Sequence, residues 1–161
     1  MERDPAPRRR SAGSVRAVLA IMDFSTGYQL LGLLHILAAV VAFGPMLIYP
    51  TVRSAGDTVA LARLHTRMTM PALVLLWVLG MGLAGMSKPK GSDEIIFHMS
   101  QTWLILAIVD WLILVAVGWF LIRPSITDTS ETATKRFQAG VGITHIGLVV
   151  GVALMIWKPG L

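Results

Sequence analysis

Four apolar runs separated by polar connectors dominate the chain. The longest, Tyr28–Tyr49 (YQLLGLLHILAAVVAFGPMLIY), carries no formally charged side chain. Met70–Met86, Trp103–Ile122 and Val141–Trp157 follow it. At about 1.5 Å of rise per residue, runs of this length match the roughly 30 Å of hydrocarbon that a helix must cross. The pattern predicts an all-α protein: a bundle of four transmembrane helices filling 28–161, behind a basic tail at 1–27. Asp57 and Thr58 stand where a cap would start the second helix, which runs on through Pro71. Pro50 is expected to end the first helix, and Arg123-Pro124 the third. Ser92 is placed to cap the third helix, with helical structure expected from about Asp93. Small residues gather in two places: Gly80, Gly82, Ala84 and Gly85 in the second run, and Gly140, Thr144, Gly147 and Gly151 in the fourth. Such stripes let helices approach closely, here within one bundle.

Composition agrees with a bilayer setting. Of 161 residues, 55% are hydrophobic and only 14% charged, against about 25% charged in soluble domains. Cysteine is absent, which excludes disulfides, thiolate metal ligands and a cysteine nucleophile. The net charge of +5 is no nucleic-acid signal, because Arg3, Arg8, Arg9, Arg10 and Arg16 precede the first span, where basic residues set topology. With four spans, the tail, Lys88, Lys90 and Lys158 share one side. Arg53, Arg63, Arg67, Arg123, Lys135 and Arg136 share the other. The balance places both termini in the cytoplasm. The tail reads as disordered and not as a signal peptide, and Met22 is a candidate start. Tyr28, Tyr49, Trp103, Trp119 and Trp157 fall at span ends as an interfacial belt would, whereas Trp77 and Trp111 lie deeper.

The polar residues inside the runs carry whatever chemistry there is. Asp110 is the only acidic residue within them, and a carboxylate in hydrocarbon calls for a partner in the bundle interior. His35 and Asp110 each stand seven residues into spans that start from the same side, roughly 10 Å deep. They are therefore expected to form a buried pair. A neutral Asp110 bonded to backbone or threonine is the other reading. His145 is about 8 Å deeper than His35 by the same ruler. His35 and His145, with Gly32 and Gly142 three residues before them, are a candidate ligand pair for haem b. Copper held by histidine with Met46, Met68, Met70 and Met155 is a further alternative. His65 and His98 are expected to be interfacial or solvated. No nucleotide loop or hydrolase constellation is present.

The stretch LLGLLHILAAVVAFGPMLIYP resembles the first span of bacterial four-helix membrane proteins of the domain of unknown function 2269 family. More distantly, LHILAAVVAFG is similar to the first-helix pattern of copper-resistance D and HemJ-type proteins. That likeness implies a haem association for the histidine at position 35; Phe43-Gly44-Pro45 stands where that pattern has Trp-Gly-Gly. The combined expectation is a bacterial cytoplasmic-membrane protein with a structural, accessory or ligand-binding role and no assigned catalytic residue. It would be surrounded by lipid, and open to forming a homo-oligomer or joining a larger membrane complex. The alternatives are a haem-binding redox protein and a copper transport or resistance protein.

Overall fold

The computed structural model describes residues 25–91 and 93–160. The expectations for the basic tail through residue 24, Met22 and the Ser92 cap lie outside these residues; Thr26 and Gly27, expected in the tail, already belong to the first helix. Four long helices make up the fold: α1 (Thr26–Ser54), α2 (Thr58–Gly85), α3 (Thr102–Ser125) and α4 (Glu131–Trp157). No β-strand occurs among the described residues. At 24 to 29 residues, each helix is roughly 36–43 Å long, enough to cross the hydrocarbon layer. Only 22% of each helix's most apolar window is buried inside the protein. Leu37, Val78, Leu112, Phe120, Val149 and many similar side chains therefore point outward. A helix that is apolar all round while its outer face lacks protein cover requires lipid there. This is a multi-pass membrane protein.

Local chemistry accounts for most of the helix ends. The Ser25 hydroxyl accepts from the Tyr28 N–H at 3.2 Å and starts α1. Asp57 Oδ1 accepts from Ala60 N–H at 2.9 Å and starts α2, as expected. Ser130 Oγ accepts from Ala133 N–H at 3.2 Å and starts α4. Two ends differ from the expectation. Pro50 does not stop α1, which continues to Ser54. The guanidinium of Arg53, in that last turn, donates to the Ser125 and Ile126 carbonyls at the end of α3. It also donates to the Asp128 carbonyl at 2.9 Å and Thr134 Oγ1 at 3.3 Å. These bonds, with Arg53 over the Phe137 ring at 4.6 Å, hold the extra turn that Pro50 would otherwise terminate.

The second difference is at α3, which begins at Thr102 and not near Asp93. Ser87 explains the delay. It is fully buried; its hydroxyl donates to the Ala84 carbonyl and accepts from Phe97 N–H, while its carbonyl accepts from Ile96 N–H. Those bonds occupy donors that a helix would need, so 93–101 stays irregular. His98 consequently sits in an exposed loop, consistent with its solvated reading.

Packing is strongest within two pairs, α1 with α2 and α3 with α4. Glycines set both close approaches. A methyl group on Gly82 would stand 3.0 Å from Leu31 Cδ2, and one on Gly140 would stand 2.7 Å from Ile122 Cγ1. The main core, including Ala42, Met46, Tyr49, Leu73, Ile122 and Phe137, joins both pairs at the end where α1 meets α2. A smaller cluster of Ala84, Trp103 and Leu104 lies toward the opposite end. Between these clusters the pairs separate and leave a half-open cavity.

The glycine seam predicts opposite outcomes at two neighbouring sites on α4. Gly140→Ala should lower the thermal midpoint in detergent, because overpacking a fitted contact costs about 1–3 kcal/mol. Gly142 has no atom within 4 Å of an added methyl, so Gly142→Ala should be neutral or gain up to about 1 kcal/mol of helix propensity. Circular-dichroism melts compare the two directly.

Candidate functional site

Two polar features stand inside the bundle. The first is the cavity, of about 690 Å³, lined by all four helices. His35 on α1 and Asp110 on α3 both line it. Each stands over a glycine gap in the partner helix of its own pair. A methyl on Gly80 of α2 would come within 3.1 Å of His35 Cε1. Methyls on Gly147 and Gly151 of α4 would stand 3.2 Å and 3.3 Å from Asp110 Oδ1 and Oδ2. The small-residue stripe thus seats a carboxylate as well as a helix. The rest of the wall is almost wholly apolar and aromatic. Trp77 and Trp111, the deep tryptophans, stack at 5.4 Å between centroids, with the planes 21° apart. Trp111 Nε1 donates to the Leu73 carbonyl at 2.8 Å, which fixes that ring.

His35 and Asp110 share the cavity but do not bond to one another. His35 Nδ1 is buried without a hydrogen-bond partner, and among the described residues no donor reaches the Asp110 carboxylate. Matched depth in sequence located them on one cavity; it carried no information on the helix spacing that separates them. His145 lies elsewhere. It lines a second cavity of about 510 Å³ with Arg53, Thr134, Phe137 and Gln138, beside α1 and α4, and its Nε2 also lacks a partner. Two axial ligands of one haem must face the same space, and His35 and His145 do not. The four methionines are likewise dispersed. Met46 is in the core, Met70 packs near Gly118, Met68 is exposed, and Met155 lines the larger cavity. Among the described residues, no three His, Asp or Glu side chains converge as a metal site would require.

The second polar feature was not anticipated. His65, expected at the interface, is completely buried, as are Tyr49 and Thr69. The Tyr49 hydroxyl lies 2.7 Å from Thr69 Oγ1 and 3.0 Å from His65 Nδ1. His65 Nε2 lies 3.0 Å from the Gly118 carbonyl. A carbonyl can only accept, so Nε2 carries a hydrogen and donates it. This chain links α1, α2 and α3. Both flanking segments are π-helical turns, His65–Thr69 and Gly118–Ile122. In each, the N–H five residues on bonds back to the first carbonyl, Met70 to His65 and Arg123 to Gly118. Gly118 admits the close contact: a methyl there would stand 2.9 Å from Met70 Sδ and 3.6 Å from His65 Cε1. The segment read as external because it lies between the Asp57 cap and the apolar run that begins at Met70. The missed signal was the four-residue spacing of Leu61, His65 and Thr69, which places all three on one buried face.

No protein-family model, curated protein or solved structure matches the chain. The site's geometry therefore carries the functional reading.

The cluster predicts that Tyr49→Phe, which deletes one oxygen, loses about 1–3 kcal/mol by leaving Thr69 and His65 Nδ1 unsatisfied in a dry site. A thermal midpoint equal to that of the unaltered protein would show that the phenol makes no net contribution.

Proposed function

We propose that this protein is a ligand-binding or accessory component of a bacterial cytoplasmic membrane. In this reading the cavity between the two helix pairs takes up an apolar small molecule bearing one polar group. The observation that carries it is a space of about 690 Å³ whose mostly apolar and aromatic wall carries the polar side chains His35 and Asp110, which do not bond to each other. Ligand sites in proteins commonly have this size and this mix of apolar wall and few polar groups. Unpaired polar groups in a low-dielectric setting favour any ligand that satisfies them. The distribution of basic residues supports both termini in the cytoplasm. The first-span pattern around His35 supports membership in the domain of unknown function 2269 family.

Filling the space tests the reading. Ala107 lines the cavity, and Ala107→Trp places a large ring inside it. The neutral fluorophore N-phenyl-1-naphthylamine, added to the protein in lipid nanodiscs, should accept energy from Trp77 and Trp111 with saturable one-to-one stoichiometry. Ala107→Trp should weaken that binding at least tenfold. Non-saturable signal, or equal signal from the variant and from empty nanodiscs, would remove the cavity as a binding site.

A further inference from the structure

We propose that the cavity selects a lipophilic ammonium, with Asp110 as its counter-charge and the tryptophan faces as its bed. This rests on the cavity-binding reading and adds the ligand's charge class. Three observations converge on it. Asp110 lines the cavity with its carboxylate oxygens against Gly147 and Gly151 of α4, and no donor among the described residues reaches them. A carboxylate that only accepts is completed by a ligand that donates and carries positive charge. On the same wall, Trp77 and Trp111 form one stacked aromatic surface, and π faces attract cations.

The third observation comes from the chain itself. Lys158 also lines this cavity. Its ammonium lies 4.6 Å from the centre of the Phe97 ring and 5.8 Å from that of Trp103, both wall residues. The wall thus already holds a primary ammonium of its own. Lys158 reaches that place from a left-handed backbone conformation, φ 38°, unusual for a residue with a side chain. The segment after it is tied down by Trp103 N–H donating to the Pro159 carbonyl at 3.1 Å. One ammonium rests on the aromatic mouth, and the uncompensated carboxylate lies on the same cavity. A ligand ammonium at Asp110 would add a second positive charge to this wall. An ammonium pairs with the ionised form of Asp110 and so favours that form, whereas an anionic ligand opposes it.

Three rigid probes of one shape separate charge from apolar fit: 1-aminoadamantane, 1-adamantanol and 1-adamantanecarboxylate. Binding is read by calorimetry on the protein in nanodiscs, with empty nanodiscs subtracted. The amine should bind at least tenfold more tightly than the alcohol, and the carboxylate more weakly than either. Asp110→Asn should abolish the amine's advantage over the alcohol. If the alcohol matches the amine in the unaltered protein, the ammonium assignment is overturned while the cavity reading stands. If none of the probes saturates, both fail. Should Asp110→Asn not fold, the comparison of amine with alcohol on the unaltered protein decides alone.

Discussion

The hydrogen-bond chain from Thr69 through Tyr49 and His65 to the Gly118 carbonyl is the constraint on which the rest of the bundle depends. In lipid no water replaces a lost partner, so polar groups on three helices have to find each other at fixed heights and rotations. Two π-helical turns, one in α2 and one in α3, supply that fit. Inserting a residue into a helical turn rotates everything beyond it, and π-turns recur where a helix needs a local change of phase. Here the change turns His65 inward although Thr66, Arg67 and Met68 remain outside. Arg53 fastens the same end from the surface by satisfying carbonyls at the end of α3.

With one end fastened, the other can stay open. The two helix pairs are each zipped by glycines, yet the apolar cluster between them at the far end is small. The cavity is what remains between two well-packed pairs joined mainly at one end. Its two polar side chains sit in equivalent settings, His35 over Gly80 and Asp110 over Gly147 and Gly151. They are not bonded to one another. The same glycines that tighten each pair therefore give a titratable side chain room to face the space between the pairs.

Most of this architecture is legible in the amino-acid pattern. Hydropathy located the four helices, Asp57 marked the start of α2, and the Gly140–Gly151 stripe marked the α3–α4 seam. The depth of Trp77 and Trp111 singled out the pair that stacks. What escaped was set by tertiary contacts. Pro50 is a strong local stop, overridden by Arg53 reaching across to Ser125. A helix start at Asp93 loses to Ser87, which holds Ile96 and Phe97 in a loop. The place of His65 between the Asp57 cap and the apolar run from Met70 masked a buried face, because a helix of one turn can carry Arg67 outward and Thr69 inward. Equal depth put His35 and Asp110 on one cavity, while only the spacing of the pairs could show that they do not touch.

On this reading the bundle is closed at the Tyr49–His65 end around an apolar space that small molecules enter at the His35–Asp110 level. The chain contains no cysteine, so single cysteines can be read without background. Ala107→Cys lines the cavity, Ala42→Cys lies in the closed core, and Ala116→Cys faces lipid. Labelled with a small water-soluble methanethiosulfonate in nanodiscs, position 107 should react at least tenfold faster than positions 42 and 116. Equal rates at 107 and 42 would contradict the account.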